Sequence, residues 1–138
     1  MGVGKTRKKC EQYIVEHNLR ENIKIIEGNI KEILPKLDVF VLATHYEGLP
    51  LVLCEAMASK TSIIATNVAG VNEIILDNKT GLLVEENNEF DLADNIIKLK
   101  EDITLRNLLV KEADKFIHEQ FNLELMYKNY ERRIKDII

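Results

Sequence analysis

The sequence has only two cysteines and no long uncharged hydrophobic run. Cys10 and Cys54 lie far apart and match neither a CxxC motif nor a metal-ligand spacing, which argues against a disulfide framework or a zinc site. No stretch approaches the roughly 18 to 20 apolar residues that span a membrane, and the polar, basic N-terminus lacks the hydrophobic segment of a signal peptide. We therefore expect reduced thiols, a cytoplasmic location and no bound metal.

An excess of positive charge is also lacking. The net charge is -4 and the pI about 5.5, which argues against an extended nucleic-acid surface. A local basic cluster near the N-terminus, Lys5, Arg7, Lys8 and Lys9, is interpreted as the solvated face of a helix. With 138 residues, 46% of them hydrophobic, and no repeat or low-complexity linker, the chain fits one domain over residues 1-138 that can bury a core.

The hydrophobic pattern predicts strands that alternate with helices. Strands are predicted at Ile23–Ile26, Asp38–Ala43, Ser62–Thr66 and Gly81–Val84, and helices at Lys5–Asn18 and Pro50–Ser59. From about residue 102 to 138 the pattern becomes amphipathic and predicts two further helices, with Asn122 able to cap the second. This alternation indicates an α/β fold with a parallel sheet.

A single carboxylate interrupts the otherwise apolar helix that begins at Pro50. Because its sequence is apolar on every face, we expect this helix to be buried, and an unpaired buried carboxylate costs several kcal/mol. Glu55 therefore either has a positive partner, such as Lys60 or Lys79, or faces a polar cleft. In nucleotide-binding α/β folds such a carboxylate accepts the two hydroxyls of a ribose.

The loop before this helix contains a second acidic residue, Glu47. Loops that follow strands in open α/β sheets are where ligands bind. Pro50 suits the first helical turn, and we expect it to leave the amides of Leu51, Val52 and Leu53 free to bind a phosphate. Gly48 leaves room for a ligand to approach the backbone.

These residues belong to an ordered string of motifs that resembles the C-terminal domain of the group 1 glycosyltransferases, a retaining family with the two-domain GT-B architecture. The resemblance runs from about Gly2 to the end of the chain. Its elements are Glu47-Gly48-x-Pro50 through Glu55-Ala-Met-Ala58, Ile63-Ile-Ala-Thr66, Gly70-x-x-Glu73-Ile74, Asp77-x-x-Thr80-Gly81-x-Leu83-Val84, Leu92-Ala93 and Leu105-Arg106.

The resemblance implies a Rossmann-like parallel sheet with flanking helices that lacks its first two strands. It implies retaining transfer of a hexosyl group from a nucleoside diphosphate sugar, with no cofactor and no obligatory metal. Glu47 would be the catalytic residue beside the anomeric centre, and Glu55 would hold the ribose. The remaining donor-binding positions are Gly48, Leu49, Pro50, Leu51 and Val52 at the sugar and diphosphate, and Gly28 and Ile30 beside the base.

The chain also departs from the family pattern. Lys60 and Ser62 stand where the family usually has Gly and Pro, and Ala69 stands where it has the first Gly of a pair. A positive φ at Lys60 would cost roughly 1 kcal/mol. The family's diphosphate-neutralising cations and its acceptor-binding domain are absent from this sequence. We therefore expect a fragment, a split gene product or a subunit completed by another chain, with any membrane contact made through the missing half.

Other interpretations stay open. The chain could be a non-catalytic remnant or an interaction module that binds a partner through its C-terminal helices, or an unrelated flavodoxin-like domain. Gly4-Lys5-Thr6 resembles the end of a phosphate-binding P-loop but lacks its first Gly and its strand. His45 could reach the donor, whereas His17 and His118 are interpreted as surface residues. The Tyr127–Tyr130 stripe is expected in the core, unless the absence of an N-terminal domain leaves it exposed.

Overall fold

The structure is a computed structural model that describes residues 6-135 of the chain. The elements are α1 (Arg7–Glu16), α2 (Ile30–Ile33), a 3-10 turn (Leu34–Lys36), β1 (Val39–Leu42), α3 (Leu51–Ala58), β2 (Ser62–Thr66), β3 (Leu82–Val84), α4 (Glu89–Glu101), α5 (Ile103–Gln120) and α6 (Leu123–Lys135). The chain divides into two compact units, Met1–Ile33 and Leu34–Ile138.

The first unit has little core of its own. Helix α1 has no buried residue, and on its surface Arg7 Nε donates to Glu11 Oε1 at 2.7 Å and Arg7 also pairs with Glu27. The strand predicted at Ile23–Ile26 is wrong, because no residue of this segment pairs with a strand in the described part of the chain. A strand is stable only when its backbone N–H and C=O groups have a neighbouring strand to bond with.

The second unit contains a three-stranded parallel sheet in the order β1-β2-β3. Val39 is in register with Ser62, and Ile64 with Leu82. The predicted parallel α/β fold is therefore confirmed, and three of the four predicted strands are formed with ends that differ by one residue at most. The central strand, β2, is buried along its whole length, whereas β1 is half-buried at every position.

Two hydroxyls at the ends of β2 tie it to the segments that flank β1. Ser62 Oγ donates to the carbonyl oxygen of Asp38 at 2.6 Å, and Thr66 Oγ1 donates to that of Thr44 at 2.6 Å. Both side chains are buried, so these bonds satisfy groups that water does not reach. At position 62 the serine supplies a hydrogen bond that the proline usual in the family could not make.

Helices α4 and α5 contribute to the core that covers one side of the sheet. Its central residues are Ile64, Leu82, Val84, Leu99 and Leu109. Both helices are capped, because Asn88 Oδ1 accepts from the amide of Asp91 at 3.1 Å and Asp102 Oδ1 from that of Leu105 at 2.8 Å. Helix α4 is not among the helices predicted from the sequence. The predicted cap of α6 is confirmed, since Asn122 Oδ1 accepts from the amide of Leu125 at 2.8 Å.

Helix α3 is buried on one face only, which corrects the expectation of a helix covered all round. Leu53, Ala56 and Met57 are buried, whereas Leu51 is 63% exposed. The helix ends at Ala58 with Ser59 as its C-cap, and the next residue, Lys60, has a φ of +57°, so the cost of a positive φ at a lysine applies here. The amides of Lys60 and Thr61 donate to the carbonyls of Met57 and Ala56 at 3.0 Å, a Schellman ending.

Helix α6 exposes its apolar stripe. Tyr127 and Tyr130 are each 63% exposed, so the expectation that they lie in the core is wrong and the alternative of an exposed stripe holds. Next to the stripe lies a cavity of about 530 Å³ that Phe121, Leu125 and Met126 help to line. Gly4 and Lys5 of the P-loop-like segment, and Ile137 and Ile138 at the end of the predicted apolar stripe, lie outside the described residues.

Candidate functional site

The three parallel strands end at one edge of the sheet, and the loops that follow them begin there. The loop after β1, residues 43-50, connects this edge to α3 and is called the Glu47 loop below. Because ligands in open α/β sheets bind outside the carboxyl ends of the strands, this edge is the place where a site is expected.

The two predicted carboxylates lie on the Glu47 loop and on α3. Both Glu47 and Glu55 are half-buried. Among residues 6-135, neither carboxylate has a hydrogen bond or an ion pair. Lys60, one suggested partner of Glu55, instead lies 3.7 Å from Asp114. Both carboxylates are therefore free to accept hydroxyl groups of a ligand.

Glu55 lies on the outward face of α3. Residues four and three positions away on a helix share a face, which puts Glu55 beside Leu51 and Ala58, both exposed. The buried residues Ala56 and Met57 belong to the opposite face. This carboxylate is thus turned away from the core, and no positive core partner is needed to explain it.

The backbone amides at the start of α3 differ from the expectation. The amide of Leu51 donates to Leu49 O and that of Leu53 to Pro50 O, both at 2.9 Å. Only the Val52 amide of the three lacks a backbone acceptor within the described part of the chain. The predicted anion site of three free amides is therefore wrong in two of them, because Pro50 precedes the helix as its cap and a tight turn uses the neighbouring donors.

The tip of the Glu47 loop is open to solvent. Gly48 is exposed, and a Cβ atom added to it would meet nothing within 4 Å. Leu49 is 55% exposed and Tyr46 78%. A ligand can therefore approach the backbone at Gly48, which is the accessibility predicted for this glycine.

His45 is directed to another loop. Its Nδ1 lies 2.5 Å from Glu86 Oε1, in the segment after β3, and 76% of its side chain is exposed. These two residues help to line a cavity of about 210 Å³ together with Thr44 and Thr66. The interpretations of His17 and His118 as surface residues are confirmed by their exposure.

Two residues contact the Glu47 loop without having a role in the sequence analysis. Thr66, at the end of β2, bonds to the backbone of Thr44, and the Cα of Gly70 lies against the carbonyl oxygens of Glu47 and Gly48. Both belong to motifs of the resemblance, which is the signal that could have drawn attention to them.

The remaining predicted positions, Gly28 and Ile30, lie in the first unit. Gly28 is exposed, and Ile30 begins α2 after Asn29, whose side-chain oxygen accepts from the amide of Lys31 at 3.1 Å. The local structure is a capped turn. Their predicted place beside the base stays a prediction.

Cys54, next to Glu55 on α3, is a free thiol. Burial raises the pKa of the Cys54 thiol; a backbone hydrogen bond lowers it by less than burial raises it, and the neighbouring Glu55 carboxylate adds a still smaller increase. The thiol is therefore protonated at neutral pH and is not an activated nucleophile.

Comparison with known proteins identifies the family. The family model "Glycosyl transferases group 1" matches residues 1-116, and the chain belongs to this family. An uncharacterised glycosyltransferase of Methanocaldococcus jannaschii is 33% identical over 120 residues, which cover 84% of this chain and 34% of the relative. N-acetyl-alpha-D-glucosaminyl L-malate synthase of Bacillus anthracis is 33% identical over 112 residues, 81% of this chain and 29% of that protein.

A solved relative shows the same fold. The structure of Staphylococcus aureus TarM, in complex with fondaparinux, alpha-GlcNAc-glycerol and UDP, superposes with a TM-score of 0.87 at 28% identity over 94% of this chain and 27% of TarM. The chain thus has the fold of part of a GT-B glycosyltransferase, and it spans about a third of the length of the curated relatives it matches.

Residues 6-135 contain neither a membrane-spanning helix nor a metal-binding cluster. In residues 6-135 no helix is long and apolar enough to cross a bilayer. Over the same residues, no three His, Cys, Asp or Glu side chains are placed to hold a metal ion.

Proposed function

We propose that this chain is the donor-binding part of a glycosyltransferase that transfers a hexosyl group with retention of configuration. The observation that carries the proposal is the pair of half-buried carboxylates, Glu47 in the loop that follows β1 and Glu55 on the helix after it, which have no hydrogen bond or ion pair among residues 6-135. A nucleoside diphosphate sugar offers hydroxyls at both ends, on its ribose and on its sugar. Two acceptor-only carboxylates suit such a molecule.

Each carboxylate has a separate role in this proposal. Glu55 accepts the ribose hydroxyls, and Glu47 accepts a sugar hydroxyl beside the anomeric centre, where positive charge develops as the diphosphate leaves. The exposed backbone at Gly48 and the unpaired amide of Val52 face the sugar and diphosphate. The Val52 amide alone is a weaker phosphate site than three amides, so most of the phosphate charge must be neutralised elsewhere.

The acceptor is bound by another domain or another chain. The described residues offer no second α/β sheet, whereas the relatives are about three times longer than the matched segment. We expect a cytoplasmic protein whose cofactor-free reaction uses the nucleotide sugar as substrate.

Substitution of each carboxylate tests the two roles. In the enzyme completed with its acceptor-binding part, Glu47→Gln should lower turnover by about 100-fold or more, because a charge aimed at the transition state is lost. Glu55→Gln should weaken donor binding about tenfold or more, since hydrogen bonds to a charged group are worth roughly 1.5 to 3 kcal/mol. Titration of the chain with UDP-glucose, UDP-N-acetylglucosamine and GDP-mannose, followed by amide NMR at Gly48 and Glu55, measures the binding.

The matched control is Glu101→Gln, which removes an exposed carboxylate from the end of α4 and should change neither quantity. Equal turnover and affinity in all three variants would refute the assignment.

The second candidate function is an interaction module without catalysis. The exposed apolar stripe of α6 and the cavity beside it favour this alternative. It predicts no saturable shift with any nucleotide sugar, together with a stable complex through α6 that Tyr130→Asp weakens in sedimentation experiments.

A further inference from the structure

The start of the Glu47 loop is held by one buried hydroxyl. Thr66 Oγ1 donates to the carbonyl oxygen of Thr44 at 2.6 Å and accepts from the Thr44 amide at 3.0 Å. Thr66 is 7% exposed, so these bonds compete little with water. The Thr66 hydroxyl thus bonds to both the amide and the carbonyl of Thr44, the second residue of the loop.

The middle of the loop is held by a glycine in the turn after β2. Gly70 has a φ of +82°, and a Cβ atom placed on it would lie 2.4 Å from Glu47 O and 2.5 Å from Gly48 O. Real Cβ contacts are not this short, so a side chain at position 70 would have to displace the peptide that carries Glu47. Gly48 itself has open space on its side-chain position. The close contact is therefore on the side of the loop that faces Gly70.

A hydrogen bond within the loop constrains the backbone between these two points. Thr44 Oγ1 donates to the carbonyl oxygen of Tyr46 at 3.1 Å. The backbone is thus constrained at Thr44, at Tyr46 and at the Glu47–Gly48 peptide, while the side chain of Tyr46 is free in solvent. These contacts constrain the backbone on both sides of the Glu47 Cα atom.

We propose that Thr66 and Gly70 are positioning residues for Glu47, which they hold at the donor sugar without contacting the substrate themselves. This inference rests on the proposed function, because it assumes that Glu47 meets the donor. Reacting groups must be held within about 0.5 Å of their productive position. A displacement of about 1 Å can lower turnover by about 100-fold.

The first test replaces Gly70. Gly70→Ala should shift the amide resonances of Glu47 and Gly48 in the ligand-free chain and weaken UDP-glucose, UDP-N-acetylglucosamine or GDP-mannose binding by about tenfold. The matched control is Gly81→Ala, since Gly81 is also buried and its added Cβ would lie 3.0 Å from Ile63 O, on another segment. The control should lower the melting temperature without moving the loop resonances.

The second test separates the hydroxyl of Thr66 from its volume and applies even if Gly70→Ala does not fold. Thr66→Val keeps the shape but loses both bonds to Thr44, whereas Thr66→Ser keeps the hydroxyl. We expect Val to shift the loop resonances and weaken donor binding, and Ser to restore both. If Thr66 has only a structural role, Thr66→Val and Thr66→Ser should change the melting temperature to the same extent and leave the loop resonances unmoved.

The outcomes separate the proposed donor binding from the positioning role of Thr66 and Gly70. If the unmodified chain binds none of the three nucleotide sugars, the donor function fails and the inference fails with it. If the unmodified chain binds one of them and both Gly70→Ala and Thr66→Val bind it equally well, only the positioning role is refuted.

Discussion

Residues 23-26 and 62-66 are both short segments rich in β-branched residues, yet only the second is a strand. Ser62–Thr66 lies between two parallel neighbours and is buried throughout. Ile23–Ile26 belongs to the first unit, has no strand beside it within residues 6-135, and leaves Ile23 and Ile26 44% and 51% exposed. The difference shows that a β-branched sequence becomes a strand only where neighbours satisfy its backbone.

The same contrast extends to the functional site. In the second unit, hydroxyls at both ends of β2 bond to the segments around β1, and the second of them holds the Glu47 loop. In the first unit, the predicted base-contacting residues Gly28 and Ile30 lie on a short capped turn. The hydrogen bonds at Asn29, between Gly28 and Ile30, are local, whereas order around Glu47 comes from packing between elements distant in sequence.

The largest effect is expected when one isoleucine in each unit is replaced by alanine. Ile64→Ala removes a fully buried side chain from the core and should lower the free energy of unfolding by about 2 to 5 kcal/mol. Ile23→Ala removes a side chain that is already 44% exposed and should cost less than about 1 kcal/mol. Urea unfolding measures both. Equal losses would mean that the first unit contributes to the core as much as the second.

A smaller effect is expected at two helix ends that share one geometry. Asn18 after α1 and Lys60 after α3 have φ values of +55° and +57°, and both close Schellman endings. This conformation costs a lysine roughly 1 kcal/mol. It costs an asparagine less, because asparagine adopts positive φ values more readily. Lys60→Gly should therefore raise the free energy of unfolding by about 1 kcal/mol.

The control for this prediction is Asn18→Gly, which should raise stability by only a few tenths of a kcal/mol. An equal gain at both sites would show that the backbone conformation, and not the residue type, determines the cost.

The smallest expected effect is a difference in alkylation rate between the two thiols. Cys10 is exposed in the first unit, whereas burial raises the pKa of Cys54. Iodoacetamide should therefore modify Cys54 roughly three- to tenfold more slowly than Cys10 in the folded chain, as followed by mass spectrometry. In urea the two rates should become similar.

The raised pKa of Cys54 also has a consequence for stability. The folded state keeps the thiol proton to higher pH than the unfolded state does, so this contribution is fully present below the ordinary thiol pKa and is lost as pH rises through the alkaline range. Cys54→Ala should remove that part of the alkaline decline, whereas Cys10→Ala should leave it. An unchanged decline in Cys54→Ala would contradict the burial of this thiol.

Much of the fold and part of the site could be predicted from local pattern. The three strands of the second unit, α3 and the cap of α6 follow from hydrophobic runs and single polar residues, which act over a few positions. Glu55 stands out because it is the one charge in an apolar helix, and Glu47 because it lies in the loop that follows a predicted strand. The exposed side of α3 was not predictable in this way, since its sequence is apolar all round and only packing decides which face is covered.

The sequence by itself determined the family, the order of the strands along the chain and the identity of the two carboxylates. Only the tertiary structure decided that Ile23–Ile26 has no partner strand within residues 6-135, that two of the three amides at the start of α3 are already bonded, and that Gly70 packs against the peptide of Glu47. The physical reason is range. Patterns within a segment report backbone preference and burial, whereas strand pairing and the contact of Gly70 with the Glu47 peptide join residues 23 positions apart that meet only in the folded chain (62 − 39 and 70 − 47). The two amide bonds at the start of α3 are local, but they depend on the backbone conformation at Pro50, which the residue pattern does not specify.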